Sequence, residues 1–182
     1  MNDNRYEIRL SGSGGQGLIL AGIILAEAAS IYEGKEAVQT QSYGPESRGG
    51  ASKSEVVISD AEIDYPKVTS PDMLLAMTQE ACDKYIGDLK ESGIAIVDSF
   101  FVENAPEAPN VLSLPLTAIA KETTGRAIVA NIVALGAITA LSNIVSRDAI
   151  EKAVLARVPK GTEELNQKAL HAGFEAGENA AN

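Results

Sequence analysis

Tyr6 to Ser11 alternates apolar and charged side chains and stops at glycines, which predicts a strand running into a tight turn. From Leu18 to Ile31 the chain sets Leu18, Ile19, Gly22, Ile23, Leu25, Ala26, Ala29 and Ser30 at helical spacing with few charges, so a helix buried on most sides follows the turn. Ala37 to Ser42 is a second candidate strand. YGPESRGG then breaks all periodicity with three glycines and a proline, as a long loop does. Ser52 to Ser59, followed by Asp60-Ala61-Glu62 and the short run Ile63-Asp64, suggests a strand returning through a turn, which would make the sheet mixed. Asp72 to Met77 reads as a strand, Gln79 to Leu89 as a helix, Gly93 to Asp98 as a buried strand and Val111 to Leu114 as a last short strand stopped by Pro115. Helices are predicted over Thr117 to Glu122, Ile128 to Asn143, Arg147 to Arg157 with Ser146 as N-cap, and Thr162 to Ala176, which opens on an N-cap signal. Strands alternating with helices, then helices alone, predict a single three-layer α/β/α domain with a central mixed, mostly parallel sheet and a helical C-terminal third.

Composition narrows the classes of function. The chain has 182 residues, 45% hydrophobic and 22% charged, the balance of a folded globular protein of one domain. A formal charge of −10, with its fifteen Lys and Arg scattered, argues against a nucleic-acid partner. No run reaches the roughly 18 apolar residues of a membrane span, and the sequence is expected to be soluble and cytoplasmic. Cys82 is the one cysteine, so no internal disulfide or multi-cysteine metal site can form; it reads as a small buried hydrophobe on a helix.

Gly12-Ser13-Gly14-Gly15-Gln16-Gly17 carries the candidate chemistry. Gly12, Gly14 and Gly17 make a GxGxxG turn between strand and helix, the context in which amides at a helix N-terminus hold a dinucleotide phosphate. The ribose-binding acid of that fingerprint has no good counterpart, because Glu36 has about the right spacing but precedes its strand. Three readings of the turn stay open: nucleotide binding by an independent Rossmann-like protein, contact with another phosphate or backbone, and close strand–helix packing. Gln16, larger than the turn requires, is read as directed outward to a partner.

A second cluster, Gln41 to Gly50, mixes donors and acceptors with glycines that admit a ligand. If the strands 6–11 and 37–42 are parallel neighbours, both clusters share one rim at the carboxyl ends of the sheet, where α/β proteins bind ligands. Arg48 would be the strong cation of that rim, pairing a phosphate or carboxylate, or else an internal partner such as Glu46 or Asp98. Asp98 reads as a loop cap, Asn131 as a polar residue needing partners if buried, and His171 as a surface residue of the last helix. No acid–base or nucleophilic set assembles around the glycines, so the chain reads as part of an active site.

With GSGGQG at 12–17, YGPESRGG at 43–50, SPDMLLAM at 70–77, NIVALGA at 131–137 and NQKALHAG at 166–173, the sequence resembles the gamma subunit of 2-oxoacid:ferredoxin oxidoreductases over nearly its whole length. The resemblance implies a complex that oxidatively decarboxylates a 2-oxoacid, with 2-oxoglutarate ahead of pyruvate, using coenzyme A and passing electrons to ferredoxin. It implies thiamine diphosphate and iron-sulfur clusters on alpha, beta and ferredoxin-like delta partner subunits, and an isolated chain that is inactive and open to self-association. It also implies that Gly14, Gly15, Gln16, Tyr43, Gly44, Glu46, Ser47, Arg48, Gly49 and Gly50, with Gly12 and Gly17 of the same turn, form an edge beside the coenzyme A and thiamine region.

Overall fold

The computed structural model describes residues 5–42 and 51–182. Strand β1 (Arg5–Gly12) enters the glycine turn and helix α1 (Leu18–Glu33), which ends at Gly34 and leads to β2 (Glu36–Ser42). After β3 (Ser52–Ser59) an irregular segment, residues 60–72, reaches β4 (Met73–Ala76), helix α2 (Gln79–Tyr85) and a 3-10 turn, Ile86–Asp88. β5 (Ile94–Asp98) and β6 (Val111–Leu114) complete the strands. Helices α3 (Leu116–Thr124), α4 (Ala130–Ser142), α5 (Arg147–Arg157) and α6 (Glu163–Ala181) follow, with a 3-10 turn at Ala127–Val129 before α4. Ser146 caps α5 by accepting from the Ala149 amide at 3.1 Å, whereas Thr162 precedes α6 with its hydroxyl turned to the Pro159 carbonyl at 2.6 Å.

The six strands lie in the order β2-β3-β1-β4-β5-β6. β1, β4, β5 and β6 pair in parallel, and β3 is antiparallel to both β1 and β2, which gives the expected mixed sheet. One expectation is corrected: β1 and β2 run in the same direction but are not neighbours. β3 returns between them, pairing Gly12 with Ser52 on one side and Ser42 with Lys53 on the other. An antiparallel return can sit directly against both strands, so α1 spans a gap two strands wide. The run Ile63-Asp64 forms no strand and belongs to the irregular segment.

The two faces of the sheet are covered differently. Ile8, Leu10, Val56, Ile58, Met73, Leu75 and Ile96 face α1 and α3 to α6 in the larger core. Leu74, Ala76, Ala95 and Val97 face the smaller core, where α2 contributes Ala81, Cys82 and Tyr85. On that side β1 and β3 carry the buried charges Glu7, Arg9 and Glu55, with Val57 buried beside them. Arg9 meets Asp88 at 2.5 Å and Glu55 at 3.3 Å, and lies 5.0 Å from the Tyr85 ring centroid. Glu55 accepts from the Val68 amide at 3.2 Å, and Glu7 accepts from the amides of Thr69 and Ser70 at 3.0 and 3.1 Å. A buried charge is tolerated only when paired and hydrogen-bonded. Here the strand carboxylates hold down the segment 60–72, which takes the place of a helix over that half of the sheet.

Candidate functional site

At the carboxyl end of β1 the glycine turn is held by its own side chain. Gln16 Oε1 accepts from the Ser13 amide at 2.8 Å and Gln16 Nε2 donates to the Met77 carbonyl at 3.2 Å. The expectation that Gln16 points outward to a partner is therefore corrected: its amide bridges the turn to the end of β4. Both ends of that amide find backbone partners within reach, and a half-buried amide left without them would lose stability. A Cβ on Gly12 would come within 2.9 Å of Leu18 Cδ1 and 3.0 Å of Met77 Cβ, so that glycine serves close packing.

Gly17 begins α1 at φ 73°, a left-handed conformation suited to glycine. Its carbonyl accepts both the Ala21 amide and Asn131 Nδ2, each at 3.0 Å. Asn131 is buried at the start of α4, and its Oδ1 also accepts from the Ile132 amide at 3.0 Å, so the partners demanded by burial are found. Gly14 and Gly15 are exposed, with open space where a Cβ would stand, and among the described residues nothing accepts from their amides. The first turn of α1 carries neither an acid nor a side-chain cap that would compensate its positive end.

Beside the turn lies a cleft of about 240 Å³, whose walls include Gly15 and Gln16 of the turn and Ala127, Ile128 and Ala130 from the start of α4 and the 3-10 turn before it. Met77, Phe101 and Thr117 form its floor and end. Ile128 is 71% exposed, and Phe100 and Phe101, packed edge to face at 4.9 Å between centroids, are 46% and 45% exposed. Lys121 Nζ stands 4.2 Å from the Phe100 ring centroid. Half of the exposed large apolar residues of the described chain thus gather at this one rim. These lining residues escaped the sequence reading, although Phe100-Phe101 directly after a strand-ending Asp98 was a usable signal, since a buried strand rarely releases two aromatics into a loop without a use for them.

Asp98 acts as a cap. Fully buried, it accepts from the Phe100 amide at 3.1 Å, the Thr117 amide at 3.3 Å and the Thr117 hydroxyl at 2.5 Å. Its carboxylate fixes the loop after β5 and the start of α3, the two elements that end the cleft. His171 lies on α6, exposed, 3.2 Å from Glu151 and stacked on Phe174, well away from the turn in the fold. Cys82 is buried, and burial raises its thiol pKa. Glu36 starts β2 opposite Ser59, at the rim remote from the glycines, so it cannot serve as a ribose partner there. Among the described residues no group of three or more His, Cys, Asp or Glu converges as a metal site, and no helix is long and apolar enough to cross a membrane.

Tyr43, Gly44, Glu46, Ser47, Arg48, Gly49 and Gly50 lie outside the described residues. The residues on either side of them are placed: Ser42 and Ser52 stand in register with the start of β3 and the end of β1, and Ser52 Oγ donates to the Gly12 carbonyl at 3.4 Å. The end of β2 and the start of β3 therefore lie at the same rim as the glycine turn.

Among the described residues the rim thus offers open backbone amides and an apolar cleft on an α/β sheet, with the buried carboxylate of Asp98 committed to a cap. The comparisons with known proteins give the chain its class. The model of the pyruvate ferredoxin/flavodoxin oxidoreductase family matches residues 7–176, and the chain belongs to that family, as a gamma subunit of a 2-oxoacid:ferredoxin oxidoreductase complex. It is 59% identical to the 2-oxoglutarate synthase subunit KorC of Methanocaldococcus jannaschii, over 94% of this chain and 93% of that one. The gamma subunit of a keto/oxoacid ferredoxin oxidoreductase from Geobacter sulfurreducens shares its structure with a TM-score of 0.88 at 60% identity, covering 97% of this chain and 98% of the other. The 2-oxoglutarate:ferredoxin oxidoreductase of Magnetococcus marinus has the same fold at 22% identity and a TM-score of 0.83. The match takes in 98% of this chain and 32% of that longer one.

Proposed function

We propose that the chain is the gamma subunit of a 2-oxoglutarate:ferredoxin oxidoreductase, whose glycine rim helps form the binding region for coenzyme A beside the thiamine site of partner subunits. The whole chain serves as one such module, with alpha, beta and ferredoxin-like delta subunits as partners and ferredoxin as electron acceptor. Thiamine diphosphate and iron-sulfur clusters are assigned to those partners; for the clusters this agrees with a chain whose one cysteine is buried. Support for 2-oxoglutarate comes from the Methanocaldococcus jannaschii relative, a 2-oxoglutarate synthase subunit, and from the Magnetococcus marinus enzyme, solved with 2-oxoglutarate, coenzyme A and succinyl-CoA bound.

The observation that carries the coenzyme A reading is the cleft that opens at Gly15. Free amides at the positive end of α1 suit phosphate oxygens, while the apolar walls suit an uncharged arm or ring. Arg48, Glu46, Ser47 and Tyr43, with Gly44, Gly49 and Gly50, complete the edge from the second cluster. Ile128→Glu places a carboxylate at the mouth of the cleft without disturbing the core. In the assembled enzyme it is expected to raise the KM for coenzyme A by about tenfold, the cost of one unfavourable charged contact of ~1.4 kcal/mol, with the KM for the 2-oxoacid unchanged. An unchanged coenzyme A KM would remove the cleft from the binding region. Failure of the tagged native chain to bring down thiamine- or cluster-bearing subunits would remove the reading altogether.

A further inference from the structure

The two walls of the cleft come from segments far apart in the chain, one from the turn after β1 and the other from the 3-10 turn before α4. One side chain joins them. Asn131 Nδ2 donates to the Gly17 carbonyl at 3.0 Å, and its own backbone follows Ala130 in the far wall. The contact leaves no slack: a Cβ on Gly17 would stand 2.5 Å from Asn131 Nδ2 and 3.1 Å from its Cγ. Asn131 is 5% exposed and its Oδ1 is held by the Ile132 amide, so the carboxamide cannot rotate away without leaving buried donors and acceptors unpaired. Behind it, every residue of α4 from Ala130 to Thr139 is buried. α4 is locked in turn against α6, where Gly136 and Gly173 would each meet backbone within 2.9 Å if given a Cβ.

We infer that Asn131 is a positioning residue for the cleft: it sets the spacing between the glycine turn and the 127–130 wall, and so the affinity for whatever part of coenzyme A the cleft receives. It acts through Gly17. The inference rests on the coenzyme A reading above and goes beyond it by naming the residue that fixes the shape of the site from outside it.

The test uses the complete enzyme carrying Asn131→Ala and, separately, Asn131→Leu, which keeps the outline of the side chain, adds no charge and removes its donor. Loss of one hydrogen bond predicts a rise of about three- to tenfold in the KM for coenzyme A, with kcat at saturating coenzyme A and the KM for the 2-oxoacid held within about twofold. Hydrogen exchange of the same complexes should show faster exchange in residues 13–20 alone. A raised KM with exchange at 13–20 unchanged would mean a direct contact and would overturn the positioning role. An unchanged KM in both variants, while Ile128→Glu raises it, would overturn the role and leave the coenzyme A reading in place; no response from any of the three would overturn both. If the alanine variant fails to assemble, the leucine variant decides by the same two readouts.

Discussion

Two sets of glycines in this chain do opposite things. On α4 and α6, Gly136 and Gly173 exist because another backbone occupies the space of the missing side chain: a Cβ on Gly136 would stand 2.8 Å from the Gly173 Cα, and one on Gly173 would stand 2.9 Å from the Val133 carbonyl carbon. In the turn after β1, Gly14 and Gly15 face nothing within 4 Å. The first set is filled by the protein itself. The second leaves room, and in a turn whose amides have no acceptor among the described residues room is what a ligand needs. Presence in a family motif does not separate the two, since NIVALGA and NQKALHAG hold the packing glycines and GSGGQG holds the open ones.

The contrast is broken most directly by adding one methyl group to each set. Gly173→Ala is expected to cost about 1–3 kcal/mol, toward the upper end, because the obstructing atoms belong to the backbone of α4 and cannot rotate aside. Thermal unfolding of the complex should show it, and a variant as stable as the parent would mean that the helices can part freely. Gly14→Ala should leave stability within about 0.5 kcal/mol, since the methyl enters open space. It should weaken coenzyme A, which calorimetry on the assembled enzyme would measure; unaltered affinity would place the ligand away from Gly14.

A substitution remote from both sets gives the baseline. Glu27, on α1, is paired with Arg157 on α5, whose Nε donates at 2.9 Å to Oε2. That hydrogen bond holds the Glu27 carboxyl below its ordinary value of 4.5. A lowered pKa contributes stability that is fully present above the unfolded value and is lost as pH falls through the folded one. Glu27→Gln should therefore melt slightly below the parent near pH 7, and the two should converge in acid as the pH falls through the lowered folded value. The pair is exposed, so the difference is small and shrinks further in salt. A gap that widened in acid would contradict the pairing.

Much of the framework was legible because period and punctuation agree along the chain. β5 ends on Asp98 where GIAIVD does, and α1 begins where the glycines stop. Three features were hidden, each for its own physical reason. The insertion of β3 between β1 and β2 leaves no local mark, since a strand's own pattern reports its faces and not its neighbours. The inward bond of Gln16 depends on a carbonyl 61 positions away, and an outward-facing glutamine would have the same sequence. Glu7, Arg9 and Glu55 look like a solvent-facing row, yet they are buried because an irregular segment without any period lies over them. Of the candidate site, the glycine turn was visible as a turn and Asn131 as a polar residue wanting partners. The apolar walls of the cleft were missed, because Ile128 and Phe101 become one surface only after α4 docks.

The bond between Asn131 and Gly17 joins positions 114 apart in the chain. On the ribosome the glycine segment emerges long before its latch has been translated, so a nascent polypeptide carries a rim whose shape is still undefined. Any fragment truncated ahead of α4 would share that condition, retaining the motif's letters without the geometry that gives them meaning.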